Sequence, residues 1–284
     1  AIARALAQAG CQVAIACWPP VMSLLKKDLE RDKLDRDLGD GKKMDFAKVY
    51  SLDALYDEWS DVPENIRAHR RYQDQGDFSI CGVRDQILAD FGDKKLDIVI
   101  HSLAHGPEVD RPLIETSRAG YLAANSASAY SLVSFVKNFG PIMRPGGSFI
   151  SLSYIAAERA VPGYGGGMSA AKASLESDTR LLAFEAGRRY QHRINCISAG
   201  PLASRAAKAI GRVHKSIAFY RQNSPIQESL TSQDVGNVAA FLCSDLARAI
   251  SGEVLHVDYG FHAMGMSSVP AEIAAAKPEG DSGS

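Results

Sequence analysis

The chain has 284 residues, 46% hydrophobic and 23% charged, with a formal net charge of -1, so bulk charge gives no reason to expect nucleic acid or an anionic membrane as partner. Its five cysteines (Cys11, Cys17, Cys81, Cys196, Cys243) are dispersed, with no Cys-x-x-Cys and no Cys/His cluster at ligand spacing; they read as free thiols in a reducing compartment, and no metal is expected. No apolar run reaches the ~18 residues expected of a membrane span.

Taken in order, the chain alternates helix and strand signals. Residues 1–9, rich in Ala, predict a helix stopped by Gly10, and residues 12–17 predict a strand. A chain of this type that opens on a helix is expected to lack its first strand and the Gly-rich turn after it, together with any targeting segment. Trp18-Pro19-Pro20 reads as a loop, and the alternating charges of residues 26–45 as a solvated helix or surface insertion. A short strand over 48–52 ends at Asp53-Ala54, and 57–76 reads as loop with one turn of helix. A helix over 79–91, stopped by Gly92, precedes an apolar strand over 96–101 suited to a covered parallel sheet.

The loop Ser102-Leu103-Ala104-His105 leads to a long predicted helix over 118–139, then a Pro145-Gly146-Gly147 turn and a strand over 148–152. Further on come a helix over 170–187, a strand over 193–197, the loop Ser198-Ala199-Gly200-Pro201-Leu202, and helical pieces over 204–211 and 217–223. A capped helix over 231–244, with Thr231 and Asp234 as the cap pair, and a strand over 252–258 complete the pattern. The alternation predicts an α/β fold with a Rossmann-like, doubly wound parallel sheet in one domain, residues 1–266, and a disordered tail, 267–284.

In such sheets ligands bind beyond the carboxyl ends of the strands. Five loops fall there: Trp18-Pro-Pro, Asp53-Ala54, Ser102–His105, Ser153-Tyr154 and Ala199–Leu202. Trp18 is placed to stack on an adenine, against the alternative of a core or interface aromatic. Asp53 is placed to accept from the adenine amine, against the alternative of a helix N-cap. No acid or cation stands at Cys17-Trp18 to read a ribose 2′-oxygen, so charge alone does not choose between NAD and NADP, and the missing cation favours NAD. His101 and His105 have no partner at ligand spacing and read as structural or solvated. Asp258 reads as a turn residue.

The richest stretch runs from Ser151 to Lys172. Tyr154 lies just past a strand end, Pro162-Gly163 breaks the chain, and Gly165-Gly166-Gly167 gives freedom for close approach to a ligand. Lys172 follows Tyr164 by eight residues, about two helical turns if the helix begins just after Tyr164. An ammonium near a phenol lowers its pKa, and such a phenol suits proton donation to a reduced substrate.

Ser-Leu-Ser-Tyr154-Ile-Ala-Ala-Glu-Arg-Ala-Val-Pro-Gly-Tyr164-Gly-Gly-Gly-Met-Ser-Ala-Ala-Lys172, with His101-Ser-Leu-Ala and Ile197-Ser-Ala-Gly-Pro-Leu202, resembles the enoyl-acyl-carrier-protein reductases of type II fatty-acid synthesis, in their plant and apicomplexan plastid form. The resemblance implies an extended short-chain dehydrogenase/reductase fold, a homotetramer, and NADH as hydride donor to an enoyl thioester on acyl carrier protein. It further implies a plastid location and inhibition by diphenyl ethers such as triclosan. It assigns Tyr164 as donor, Lys172 to the nicotinamide ribose, and Tyr154 as the second tyrosine of the acyl site. Cofactor contacts fall on Trp18, Asp53, Ala54, Ser102, Leu103, Ala104, Leu152, Tyr164, Lys172, Ala199, Gly200, Pro201, Leu202 and Ser204. Substrate or inhibitor contacts fall on Tyr154, Tyr164, Met168, Ala206 and Ile210, the last two in a substrate-binding segment over 204–210. His105 and Ala203 depart from the family pattern. Two other readings compete: a ketoreductase of the same superfamily, whose Tyr and Lys usually stand four apart, and a non-catalytic NAD(H)-binding regulator.

Overall fold

The computed structural model describes residues 1–39, 41–93, 95–203 and 213–266. Ser204, Ala206, Ile210 and the 267–284 tail lie outside the described residues. Contacts divide the chain into two compact units: Ala1–Ala199 with Thr231–Val257, and Gly200–Leu230 with the residues from Asp258 onward.

In the first unit, α1 (Ile2–Gln8) leads to β1 (Ile15–Cys17) and α2 (Pro19–Glu30). The loop expected at Trp18-Pro19-Pro20 is instead a helix start. Proline suits the first helical turn because its missing N–H would have no partner there, and its fixed φ matches the helix. The charged stretch then forms a short antiparallel hairpin, β2 (Asp37–Gly39) and β3 (Lys42–Lys43). Next come β4 (Val49–Ser51), α3 (Glu64–Arg67) and α4 (Ile80–Phe91). Ser79 caps α4 by accepting from the Gly82 N–H, and Gly92 ends it at a φ of +84°.

β1 pairs with β4 in parallel, and β5 (Leu96–His101), β6 (Met143–Ser153), β7 (Arg193–Ala199) and β8 (Val254–Val257) form a four-stranded parallel sheet in that order. β6 is longer than the sequence suggests. The expected Pro145-Gly146-Gly147 turn is a bulge inside the strand, because pairing with β5 jumps from Leu96–Met143 to Ile98–Ser148.

The long predicted helix over 118–139 is present but interrupted. It consists of α5 (Arg118–Asn125), a π turn (Ser126–Tyr130) and α6 (Ser131–Phe139). α7 (Met168–Tyr190) and α6 pack on the side of β6 that carries Phe149, in a core with Leu132, Phe135, Leu175, Leu182 and Ile194. Alternate strand residues face opposite sides, so Ser148 points the other way, toward Cys243 at the end of a further helix, Ser232–Cys243. Helices therefore cover both faces of the sheet, as expected for a doubly wound fold. That further helix carries the predicted cap, Thr231 and Asp234 each bonding the other's backbone.

In the second unit, α8 (Val213–Asn223) is followed by Ser224, whose hydroxyl bonds the Tyr220 and Asp258 carbonyls. The helix after it in sequence, Ser232–Cys243 of the first unit, is α9. Tyr220 stacks on Phe261 at 3.8 Å. The buried Asp258 carboxylate accepts from the Gly260 and His262 amides and faces His262 Nδ1 at 2.9 Å, which fits the turn role read from sequence.

Phe149 is wholly buried at the centre of the sheet. Its replacement in Phe149→Ala is expected to cost about 3–5 kcal/mol, because the packed layer cannot collapse onto the space. Chemical denaturation of parent and variant measures it.

Candidate active site

The site is built at the carboxyl end of β6. Tyr154 follows the strand in extended geometry (φ -151°, ψ 149°), and the chain then turns through a 3-10 turn, Ile155–Ala157. Tyr164 lies in the next loop, where its amide bonds the Val161 carbonyl. Its ring meets Tyr154 edge to face, with centroids 5.2 Å apart. The two sequence-predicted tyrosines are thus brought together.

α7 begins at Met168, three residues later than a start just after Tyr164 would have it. Gly167 occupies the N-cap in the left-handed conformation, so Tyr164 stays in the loop while Lys172 lies on the second turn of the helix. The expectation of one helical face running from phenol to amine is corrected accordingly. The triple glycine also has a different use from the one expected. A Cβ on Gly165 would stand 1.8 Å from the Arg111 carbonyl oxygen, and one on Gly166, at φ +60°, would stand 2.2 Å from that of Glu108. The Gly165 and Gly166 amides bond the Val109 and Arg111 carbonyls. These glycines let the tyrosine loop pack against the chain's own 108–111 segment.

Lys172 is 5% exposed, and its Nζ donates to the Leu152 carbonyl at 2.7 Å. Burial lowers its pKa to about 8, with Cys196 and Glu176 acting in the opposite sense. The Tyr164 phenol is pushed above its ordinary value, first by burial and then by Tyr154. The lowered phenol pKa expected from the lysine is not found. Tyr164 keeps its proton and is a hydrogen-bond donor.

His101 is fully buried, bonds Ser131 Oγ at 2.8 Å through Nε2, and is held neutral with a pKa of about 3 by burial and by Lys172. It is a structural histidine. His105 is exposed; its amide donates to Ser128 Oγ and its carbonyl accepts from that hydroxyl. Ser128 lies in the π turn and Ser131 just after it, so this irregularity fastens both ends of the 101–105 loop. Met168 is buried against Ser128 and Gly106.

Trp18 and Asp53 are joined, Trp18 Nε1 donating to Asp53 Oδ2 at 2.9 Å. The same oxygen accepts from the Tyr72 hydroxyl at 2.9 Å, and Oδ1 accepts from the Leu55 amide. Asp53 is buried and opens a turn, not a helix. Trp18 is 46% exposed and is not a core aromatic. Ala54 and Leu103 pack partly into the core, and Ser102 and Ala104 are exposed beyond β5. Leu152 and Ala199 are half-buried near the ends of β6 and β7. Gly200, Pro201 and Leu202 belong to the second unit, where a Cβ on Gly200 would press on Asp258 and Leu230 at 3.3 Å. Sequence reasoning missed Tyr72, Ser128, Ser131 and Glu176. Glu176 carried a readable signal, since it stands four residues after Lys172 on the same helix. Among the described residues no His/Cys/Asp/Glu group has the arrangement to hold a metal ion, and the five cysteines are free.

A parallel sheet covered on both faces, with a protonated phenol and a buried lysine at its carboxyl end, defines a short-chain dehydrogenase/reductase type of oxidoreductase. The family model described as "Enoyl-(Acyl carrier protein) reductase" matches residues 77–262. The chain is 54% identical over 269 residues to the rice chloroplastic enoyl-[acyl-carrier-protein] reductase [NADH] 1, covering 94% of this chain and 71% of that protein. It is 53% identical to the Arabidopsis thaliana chloroplastic enzyme, at 94% and 68% coverage. The crystal structure of the Plasmodium berghei enoyl-acyl-carrier-protein reductase with triclosan superposes with a TM-score of 0.91 at 43% identity, covering 94% of each chain. An Anaplasma phagocytophilum reductase in complex with NAD gives 0.74 at 30% identity, covering 94% of this chain and 88% of that one. This chain belongs to the enoyl-acyl-carrier-protein reductase family.

In Gly166→Ala the new methyl meets the Glu108 carbonyl at a φ that L-residues rarely adopt. The variant is expected to lose at least about 1 kcal/mol of stability and to displace Tyr164. Thermal denaturation and an NADH-oxidation assay together test both effects.

Proposed function

We propose that this protein reduces the trans-2 double bond of enoyl thioesters carried on acyl carrier protein, with NADH as reductant, as the last step of the fatty-acid elongation cycle. The observation that carries the assignment of roles is the half-buried, protonated Tyr164 beside Tyr154 together with the buried ammonium of Lys172.

The residues present fit the dinucleotide. Lys172 has three N–H donors and gives one to Leu152, so donors are left for a vicinal diol such as the nicotinamide ribose. The half-exposed face of Trp18 suits an adenine, and Asp53 retains acceptor capacity beside it. Ala54, Ser102, Leu103, Ala104, Leu152 and Ala199 complete the proposed contacts in the first unit, and Gly200, Pro201, Leu202 and Ser204 are carried over from the resemblance. When bound, NADH supplies the hydride that is added to C3.

Hydride addition leaves negative charge on the thioester oxygen. Tyr164 Oη holds its proton toward that oxygen, and a donor set there in advance stabilises the charge by about 2.7–4 kcal/mol. Burial that raises the phenol pKa serves this role, because an ionised phenol has no proton to offer. Tyr154, in edge contact with Tyr164, fixes the ring and lines the acyl site. Met168, with Ala206 and Ile210, is assigned to the acyl chain or a diphenyl ether such as triclosan.

We further propose that residues 1–266 act as one reductase domain and assemble as a homotetramer. Exposed Leu122 on α5 and Leu181 and Phe184 on α7 offer apolar surface for the assembly. A plastid location, in chloroplast stroma or apicoplast, is supported by the chloroplastic relatives.

Tyr164→Phe is expected to lower kcat by about 10²–10³ with nearly unchanged NADH affinity. Turnover of a crotonyl thioester, with and without triclosan, checks the first part; turnover of an acetoacetyl thioester alone would indicate a ketoreductase, and NADH binding with no turnover a regulator. Lys172→Ala is expected to weaken NADH binding itself. With its pKa near 8, Lys172 is charged below that pH and neutral above it, so the parent's NADH affinity is expected to fall as pH rises through about 8. Fluorescence titration of NADH across that range measures it.

A further inference from the structure

Two consecutive residues at the end of β6 grip two residues one helical turn apart on α7. The Leu152 carbonyl accepts from Lys172 Nζ, and the Ser153 hydroxyl donates to Glu176 Oε1. Lys172 and Glu176 are each only 5% exposed. A buried ammonium is costly without a nearby anion, and a buried carboxylate without a nearby cation is equally so. Nothing in the proposed chemistry uses Glu176. We propose that Glu176 is a positioning residue for hydride transfer: its carboxylate, anchored by Ser153, is the counter-charge that keeps Lys172 an ammonium and aims it over the end of β6. The inference rests on the role proposed above for Lys172.

The other titratable groups acting on the pair do not substitute for it. His101 on β5 is neutral, with a pKa of about 3, and Cys196 on β7 is a thiol held at about 11. Both are uncharged at neutral pH. Around Glu176, burial raises the carboxyl pKa, and the Glu158 carboxylate raises it further. The Ser153 bond, His256 and Arg180 pull it back. His256 reaches this position through the sheet. Ser153, Ser198 and His256 are in register across β6, β7 and β8, and His256 Nε2 lies 3.2 Å from the half-exposed Glu158. The polar row under α7 therefore ends at solvent, and His256 in it acts on the carboxylate of Glu176, one turn from Lys172.

The test is NADH affinity, by fluorescence titration from pH 6 to 9.5, for the parent and for Glu176→Gln, Glu176→Asp, Ser153→Ala and Lys172→Met. Removing one nearby opposite charge shifts a buried group by about one pH unit or more. Glu176→Gln is expected to lose affinity with a midpoint about one unit below the parent's, while at pH 6 it binds within about twofold of the parent. Glu176→Asp is expected to restore part of the shift. Ser153→Ala, which leaves the carboxylate in place without its anchor, moves the midpoint in the same direction by less, and it stands in if Glu176→Gln does not fold. Profiles of Glu176→Gln and Ser153→Ala that superpose on the parent, or that weaken equally at every pH, would overturn the proposal, the second because a purely structural role has no pH signature. Lys172→Met binding NADH as the parent does would overturn the role of Lys172 and this proposal with it; Lys172→Met weak and Glu176→Gln unchanged would overturn this proposal alone.

Discussion

The hydrogen bond from Lys172 to the Leu152 carbonyl ties the helix that carries the site to the strand that ends in it. Leu152 is nearly the last residue of β6, and its backbone would otherwise lead directly into the tyrosine segment. Joining it to α7 fixes the distance between the strand end, where Tyr154 emerges, and the helix start at Met168, beyond the loop that holds Tyr164. The neighbouring Ser153–Glu176 bond repeats the join one turn along. Two such bonds in sequence resist both sliding and rotation of α7 on the sheet. The apolar contacts beneath them, Phe149 with Leu175 and Leu182, supply most of the attraction, but they are non-directional and tolerate small shifts.

The loops around this join are held by backbone devices. The glycines of 165–167 let the tyrosine loop lie on the 108–111 segment at distances no side chain would permit. The π turn in the α5–α6 run reorients Ser128 and Ser131, so that two hydroxyls reach the 101–105 loop. Irregular backbone is costly in isolation, and here each irregularity is matched by hydrogen bonds that only it allows. Loops at the ends of parallel strands are thereby fixed in place, as a site that must orient a cofactor and a thioester together requires.

Much of this was legible in the sequence. β5 was read to the residue, because six apolar-rich residues followed by a polar loop leave little choice of period. The Gly92 stop of α4 and the Thr231–Asp234 cap of α9 were equally plain, since each is a signal confined to a few neighbouring residues, whereas the Ser79 cap of α4 was read as part of the helix. Tyr154 and Tyr164 were singled out and their rings do meet, but the local geometry leading on to Lys172 was misread. A triple glycine signals permissive backbone without saying what approaches it, and here it is the chain itself. The π turn leaves no periodicity signature distinct from a long helix. Asp53 was seen as a site residue, while its partner Tyr72 lies nineteen residues on in a polar loop with no pattern of its own. Long-range pairing of that kind is decided by the fold and is not written in any local window.

The electrostatics of the pair run against simple reasoning from proximity. A lysine near a tyrosine suggests a softened phenol, and the observed environment does the reverse to both groups. Burial disfavours whichever form is charged, so it raises Tyr164 and lowers Lys172 together. For the phenol this is useful, since a donor to a developing oxyanion must keep its proton through the step. For the lysine it is a liability, since a neutral amine would donate more weakly to a ribose and attract no charge. The surroundings of the two differ: the phenol's ring neighbour is another phenol, Tyr154, while Cys196 and then Glu176 act to favour the charged lysine. Burial alone would leave one of the two groups in the wrong form, and the placement of a single acid one turn from Lys172 separates their fates.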